Sequence, residues 1–499
     1  MSTVTMDDVG LHSDRERPNP FGLYAAVGGA LVVVVLGVWS LFMHGGDGHA
    51  AHHGAPPMWW LGTLPFVGML GCIAVLPLVP ATHHWWENNI NRLGVAMVCA
   101  ALTVIYYVIA RGVGSVATVL EHAVLAEYIP FIVLLFSLYV ISGGISLTGD
   151  LAARPAVNTA FLATGCLIAS FIGTTGASML LIRPLLQTNS ERKHVVHTVV
   201  FFIFLVSNVG GCLLPIGDPP LFLGYLFGVP FFWTMGLWAP WLVCCVLLLV
   251  VYYFWDTVAY KRESPEDIRR DETEKTPLRL KGVNNILLLG GIVACVALID
   301  PNKPMPLIGI TPFPFMRELV MLSLVWLSLR KTPAGVREYN KFNYVAILEV
   351  AALFIGIFIA MQVPVEYLHA RGAELGVDSP WKFFWATGSL SAFLDNAPTY
   401  VVFFETAKAI PAEAGAATLA LGQGGARGVI NEGFLIAISL GAVFMGAMTY
   451  IGNGPNFMVK SIAEQSGVRM PSFFGYMIKY SIPVLIPIFL IVTVLFLLG

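Results

Sequence analysis

One apolar stretch, residues 199–229, is long enough to cross a bilayer but cannot do so as a continuous helix. Its middle holds adjacent glycines, three prolines and Asp218. Because proline lacks the backbone N–H that a helix requires, we expect unwound backbone between Gly210 and Pro220. Such backbone is tolerated at membrane depth only where it is buried in protein or lines a polar cavity. The stretch predicts a broken helix with a polar centre; the alternative is a proline-kinked structural helix whose aspartate lies near a loop.

The same pattern returns near the end of the chain. Residues 216–222, Ile-Gly-Asp-Pro-Pro-Leu-Phe, recur as residues 451–457, Ile-Gly-Asn-Gly-Pro-Asn-Phe. Paired broken segments in two halves of a chain are typical of the binding site of a secondary transporter. The candidate binding residues in and before these two segments are Ser207, Asn208, Gly217, Asp218, Asn453 and Asn456.

Composition places the chain among all-α polytopic membrane proteins. It is 57% hydrophobic and only 12% charged, and the mean hydropathy is +0.76. The seven cysteines show no CxxC spacing, which indicates neither a disulfide framework nor a zinc site. No HExxH, Walker A or GxSxG motif is present, so we expect no enzyme, no cofactor and no nucleic-acid partner.

The apolar pattern predicts thirteen membrane segments. Two of them, residues 156–187 and 381–407, are too long and too polar in the middle for simple spans, and we interpret them as re-entrant hairpins. With a cytoplasmic N-terminus, this arrangement places most Lys and Arg residues in cytoplasmic loops and the C-terminus in the periplasm. The predicted segments are 22–43, 58–80, 93–112, 126–147, 156–187, 195–229, 232–255, 284–300, 315–330, 344–364, 381–407, 434–460 and 475–498.

A charged cytoplasmic linker, residues 260–282, divides the chain into two repeats, 58–259 and 283–499. Each repeat is expected to contain three scaffold helices, a re-entrant hairpin, a broken helix and a closing helix, with opposite membrane orientations. Sequence echoes in the third scaffold helices, the hairpin tips and the broken helices follow the same order in both halves. Residues 1–57 add a polar tail, one extra transmembrane helix and an external loop with His44, His49, His52 and His53.

The hairpin tips carry further candidate ligands. Residues 394–399, Leu-Asp-Asn-Ala-Pro-Thr, place Asp395, Asn396 and Thr399 around a helix-breaking proline. Half-helix ends at such a tip direct backbone dipoles and side-chain oxygens at the midplane, which suits a desolvated small ion. Asp395 is a hard oxygen ligand that also titrates, so we expect it, with Asp218, to hold Na⁺ in one state and H⁺ in the other. Capping of the following half-helix is the structural alternative, and both roles can coexist. The other tip offers the hydroxyls of Thr174, Thr175 and Ser178 but no acid.

Glu349 lies in an apolar scaffold helix, about five residues from a loop. An intramembrane glutamate is a candidate functional residue. Its position near the loop equally fits an interfacial anchor.

These motifs resemble those of the ion transporter superfamily. Residues 394–399 and 215–220, together with Glu349-Val350-Ala351, are similar to NhaD-type sodium/proton antiporters and to the related CitMHS-like citrate-transporter family. The resemblance covers about residues 58–498. It implies a homodimer in a bacterial inner membrane, in which hairpins and broken helices move against a scaffold. Dicarboxylate transporters of the superfamily carry Ser-Asn-Thr at both tips, a pattern from which this chain departs.

We therefore expect exchange of Na⁺ or Li⁺ for H⁺ as the function. A citrate or succinate dianion would be repelled by Asp395 and Asp218 unless cations first neutralised them, whereas a monovalent cation requires those carboxylates. The alternatives are a sodium-coupled citrate or dicarboxylate transporter and, less favoured, an arsenite-type permease. The expected partners are small inorganic ions, the lipid bilayer and a second copy of the chain.

Overall fold

The protein is an all-α polytopic membrane protein with very little sheet. The computed structural model describes residues 20–43, 56–273, 277–300, 304–305, 309–411, 415–422 and 427–498. Within these ranges, seven helices are long and apolar enough to cross a membrane, or up to nine if each of two bent helix pairs is one span. The predicted polar tail and the His-rich loop lie outside the described residues.

The helices of the first half follow the predicted order. An extra helix, α1, packs along α4 of the scaffold. The helices are α1 (Pro20–Met43), α2 (Trp59–Val75), α3 (Pro80–Glu87), α4 (Asn89–Arg111), α5 (Ser115–Leu120), a π-helix (Glu121–Tyr128), α6 (Ile129–Ser142), α7 (Pro155–Ile172), α8 (Thr174–Thr188), α9 (Val196–Leu205), a 3-10 helix (Val209–Leu213), α10 (Pro219–Leu226), a 3-10 helix (Phe231–Leu237) and α11 (Trp238–Tyr260).

The second half follows α12 (Pro265–Thr273). Its scaffold helices include α14, which packs against α6, and α16, which packs against α4. The helices are α13 (Asn284–Leu298), α14 (Met316–Lys331), α15 (Val336–Tyr339), α16 (Val345–Ala360), α17 (Gln362–Arg371), a 3-10 helix (Gly372–Leu375), α18 (Pro380–Phe393), α19 (Asn396–Lys408), α20 (Glu432–Met445), a 3-10 helix (Gly446–Met448), α21 (Gly454–Gln465), α22 (Phe473–Tyr476), a π-helix (Met477–Ser481) and α23 (Ile482–Phe496).

Two short antiparallel strand pairs fasten loops between helices. Strands β1 (Ser146–Thr148) and β2 (Arg279–Lys281) pair with Ser146 opposite Lys281, which ties the end of the linker to the segment after α6. Strands β3 (Thr418–Ala420) and β4 (Val429–Asn431) pair between the second hairpin and α20.

Three boundaries differ from the sequence prediction. The span predicted at 126–147 begins at Ser115, because a π-helical turn that contains His122 and Glu127 continues the helix through a polar stretch. The span predicted at 58–80 ends at Val75, and α3 turns away from α2 by 104°. The segment predicted at 344–364 bends by 44° and continues through α17.

Both predicted hairpins are pairs of helices that meet at a sharp break. Helices α7 and α8 meet at Gly173, whose φ of +79° is readily adopted only by glycine. Helices α18 and α19 meet at Leu394 and Asp395, which are both extended. Each hairpin packs against the broken helix of its own half. The tips and the breaks are thereby brought together.

The two broken helices share one design. Helix α10 begins with Pro219 and Pro220 directly after Asp218, and α21 begins with Gly454 and Pro455 directly after Asn453. Proline is well placed at the start of a helix, where its missing N–H would have no partner in any case. The aligned residues Asp218 and Asn453 therefore both stand at the N-terminus of a half-helix in the protein interior.

Gly217 is required by close backbone packing at the first break. A Cβ atom at Gly217 would overlap the backbone of Gly211, whereas one at Gly454 would meet no atom within 4 Å. Overpacking of a dense site typically costs about 1–3 kcal/mol. We expect Gly217→Ala to lower the apparent melting temperature of the detergent-purified protein by several degrees and Gly454→Ala to leave it within error. Equal melting temperatures for the two variants would contradict this packing.

Candidate functional site

The Asp218 carboxylate is the centre of a polar cluster in an apolar interior. Its residue is 1% exposed. Three side chains from three different elements donate hydrogen bonds to it. Thr174 Oγ1 of the first hairpin tip lies 2.8 Å from Oδ1, Asn453 Nδ2 of the second break lies 3.0 Å from Oδ1, and Asn396 Nδ2 of the second tip lies 2.6 Å from Oδ2. The predicted tips and breaks therefore converge on one carboxylate.

Amide side chains also join the two broken helices. Asn453 Nδ2 lies 3.1 Å from the Ser207 carbonyl oxygen and 3.3 Å from Asn208 Oδ1. Asn208 Nδ2 donates to Asn456 Oδ1 at 2.7 Å. The amide of Asn456 in turn donates to two backbone carbonyls of its own broken segment. These buried contacts tie the unwound segments of both halves to one another.

Besides the bond from Thr174 to Asp218, further contacts attach the first hairpin to the first break. The hydroxyls of Ser178 and Ser207 lie 2.8 Å apart. The backbone N–H of Thr174 donates to the Gly217 carbonyl at 2.8 Å. Unwound backbone at the break thus finds partners in the hairpin tip, as buried peptide groups require.

Asn396 leaves one polar atom without a partner. Because an ionised carboxylate only accepts hydrogen bonds, the atom of Asn396 that lies against Asp218 is the Nδ2 donor. The amide oxygen Oδ1 is therefore fixed on the other side, where it has no hydrogen-bond partner among the described residues. Asn396 is fully buried. A buried oxygen without a donor is costly unless it binds something, and a cation meets that need.

Asp395 directly precedes Asn396 in the chain and caps α19. Its Oδ1 accepts the N–H of Ala397 at 3.0 Å, and Thr399 Oγ1 donates to the Asp395 carbonyl at 3.0 Å. The capping role that the sequence left open is therefore present. The residue is only half-buried, and its negative charge repels that of Asp218. Two neighbouring carboxylates in a site of low polarity favour a bound cation.

Glu349 and Thr175 are predicted residues that lie outside the hydrogen-bond network around Asp218, and the bonds of Asp395 and Thr399 stay within their own tip. Glu349 Oε2 forms an ion pair with Arg92 Nη1 of α4 at 2.9 Å, and Glu349 repels Asp395 electrostatically. This geometry agrees with the anchoring interpretation of Glu349. Thr175 is half-buried at the first tip, and its hydroxyl is not among the groups that contact Asp218.

Sequence reasoning missed three hydroxyls that hold the breaks in place. Ser170 donates to the Gly210 carbonyl and Ser391 donates to the Ala442 carbonyl, so each hairpin binds the broken helix of its own half. The hydroxyl of Thr449 donates to the Ala392 carbonyl and accepts the N–H groups of residues 451 and 452. Ser170 precedes Thr174 of the first tip by as many residues as Ser391 precedes Asp395 of the second tip. This matching position in the two hairpins could have identified both serines.

Glu127 is a buried acid that the sequence analysis also passed over. It lies in the π-helical turn, where Gln362 Nε2 donates to its Oε2 at 3.0 Å and His122 Nδ1 lies 3.5 Å from Oε1. π-helical turns are frequent at functional positions. The presence of an acid inside the predicted span 126–147 was the available indication.

An apolar cleft of about 430 Å³ lies behind the second hairpin tip. Its walls come from α2, α17, α18 and α19, and they include Leu394, Pro398 and Thr399 of the tip. Trp59 and Tyr367 stack at one side of it, with ring centroids 3.8 Å apart. The lining contains no charged side chain, and its surface is almost entirely apolar.

The fold and this centre define a membrane transporter, in which two interrupted helices and two hairpin tips enclose a buried polar site. The chain belongs to the family described as "Putative citrate transport", whose sequence profile matches residues 55–497. No curated protein matches the chain. The family match confirms the resemblance to citrate-transporter-like proteins, and α1 lies outside the matched residues.

The bond between Asn208 and Asn456 allows a direct test of the contact between halves. Removal of either amide leaves its buried partner without a hydrogen bond, which typically lowers the free energy of unfolding by about 1–3 kcal/mol. We expect Asn208→Ala and Asn456→Ala to be non-additive in chemical unfolding, with a coupling free energy of about 0.5–3 kcal/mol. The control pairs Asn208→Ala with Asn343→Ala, an exposed asparagine that does not contact Asn208, and should be additive. Additive behaviour of the first pair would contradict the observed contact.

Proposed function

We propose that the protein is a secondary active transporter that exchanges Na⁺ or Li⁺ for H⁺ through the Asp218 centre. The observation that carries this proposal is that Asn396 follows Asp395 and contacts Asp218, while its buried amide oxygen has no hydrogen-bond partner among the described residues. Asp395 and Asn396 Oδ1 stand at the same tip, and Asp218 fixes the orientation of the amide. Carboxylate and amide oxygens are hard ligands that suit a small alkali cation.

The charge of the centre favours a cation over an organic anion. Among the described residues, each side chain that donates to the Asp218 carboxylate is neutral. Arg92, the cation that pairs with Glu349, is already engaged there. Among the described residues, no guanidinium or ammonium group bonds to the Asp218 or Asp395 carboxylate, so a di- or tricarboxylate would meet two like charges at close range, and such repulsion is strong at low dielectric constant.

Competition between ions for one carboxylate accounts for coupled exchange. Asp395 binds either Na⁺ or H⁺, so each ion displaces the other. An empty, ionised site is expensive to carry through the hydrocarbon region, whereas a site neutralised by either ion is much less so. The protein would therefore move only when loaded, which is the condition for obligatory exchange.

The second candidate is sodium-coupled transport of citrate, because the description of the matched family names citrate transport. In that case Asp395 and Asn453 would hold the coupling Na⁺, and the hydroxyls at the hairpin tips would meet the carboxylates. Neutralisation by Na⁺ would then precede binding of the anion.

The test uses purified protein in liposomes that contain a pH-sensitive dye, with an imposed pH gradient. We expect dequenching on addition of Na⁺ or Li⁺ and none with K⁺ or with citrate alone. Asp395→Asn should abolish the response because the residue can no longer exchange a proton for a cation. Asp378→Asn removes an exposed aspartate that pairs with Lys382 at the surface, and it should behave as wild type.

Size-exclusion profiles establish that both variants fold. Retained Na⁺-dependent exchange in Asp395→Asn would overturn the assignment of this residue. If neither Na⁺ nor Li⁺ causes dequenching and citrate uptake requires Na⁺, the second candidate would replace cation exchange as the function.

A further inference from the structure

The short helix α3 carries a compact group of potential metal ligands outside the Asp218 centre. His83 Nδ1 lies 3.5 Å from Glu87 Oε1, and His84 Nδ1 lies 3.4 Å from Glu87 Oε2. One donor atom from each of the three residues lies within 4.8 Å of the others. Among the described residues, no other group of three His, Cys, Asp or Glu side chains meets this condition.

We propose that His83, His84 and Glu87 bind a first-row transition-metal dication, with Zn²⁺ as the best match. Two imidazole nitrogens and one carboxylate oxygen form a ligand set that zinc uses in proteins, with water in the fourth position. Bonds of about 2.0–2.1 Å at tetrahedral angles place ligand atoms about 3.3 Å apart. Each histidine nitrogen lies at about this separation from one oxygen of Glu87, His83 from Oε1 at 3.5 Å and His84 from Oε2 at 3.4 Å, so the carboxylate stands between the two rings.

The helix that presents these ligands is held in place by the protein. Pro80 starts α3, and Trp86 anchors it with only 3% of its surface exposed. Asn91 Nδ2 donates to the Trp85 carbonyl at 2.7 Å, which fixes the end of α3 against α4. A ligand set on a fixed backbone loses less conformational entropy when it binds a metal.

Solvent has free access to the group, because the side chain of His84 is 87% exposed and that of Glu87 is 54% exposed. Binding therefore needs no opening of the protein. The neighbouring cation, Arg92, lies over the Trp86 ring at 5.9 Å and forms its ion pair with Glu349. Glu87 is therefore not needed to neutralise Arg92. The Glu87 carboxylate is thus available to a metal ion.

The experiment titrates tag-free, full-length protein in detergent with Zn²⁺ in competition with a chromophoric chelator. Because His44, His49, His52 and His53 are also potential ligands, all measurements use a background in which these four are glutamine. We expect one Zn²⁺ per chain. His84→Ala and Glu87→Gln should each weaken binding by about tenfold or more, since even indirect supports of metal ligands are worth 10-fold to 100-fold.

His194→Ala, which removes another exposed histidine, is the matched control and should bind Zn²⁺ like the background protein. Co²⁺ serves as a second probe, and its visible absorption should show a tetrahedral complex that disappears in the His83→Ala, His84→Ala double variant. Undiminished Zn²⁺ affinity in His84→Ala and Glu87→Gln would overturn the proposal, as would loss of all binding in the four-glutamine background. The measurement involves no transport, so its outcome is independent of the proposed exchange.

Discussion

The burial of the Asp218 carboxylate is the constraint on which the rest of the polar core depends. A carboxylate that leaves water without partners is prohibitively costly in an apolar interior. Here Thr174, Asn396 and Asn453 supply three donors, and they come from both hairpin tips and from the second break. The two halves of the chain must therefore be assembled before this carboxylate is satisfied. The closely packed glycines at the breaks and the Asn208–Asn456 bond serve the same assembly.

The hydrogen bond that Asn396 donates to Asp218 leaves the amide oxygen of Asn396 without a partner among the described residues. Since Asn396 donates to Asp218, its amide cannot rotate to offer a donor elsewhere, and Oδ1 is left as a buried acceptor. Asp395 adds a half-buried carboxylate at the same tip. A site that is rich in oxygen acceptors and poor in free donors is suited to a cation. The same physical argument makes the centre a poor first binding site for citrate, although Na⁺ bound beforehand would neutralise part of the repelling negative charge.

Local chemistry explains which features could be predicted from the sequence. Clusters of proline and glycine break helices, so the breaks near Asp218 and Asn453 were evident from residue type alone, whereas the single prolines Pro65, Pro184 and Pro487 lie inside helices. The start of the scaffold helix at Ser115 was not, because a π-helical turn allows His122 and Glu127 within an apolar helix. The partner of Glu349 could not be inferred either, since Arg92 is distant in the chain and close only after folding. Ser170 and Ser391 bind backbone carbonyls, which carry no residue-type signal, so only their matching positions in the two halves pointed to them.

Equilibrium binding of ²²Na⁺ to the purified protein tests the central claim most directly, because it requires neither a gradient nor a choice of transported substrate. A cation site built from Asp395 and Asn396 Oδ1 should bind ²²Na⁺ in the absence of citrate. Binding should weaken as the pH falls, because protons compete for the carboxylate, and it should be lost in Asp395→Asn. No ²²Na⁺ binding without citrate, or unchanged binding in Asp395→Asn, would contradict the account.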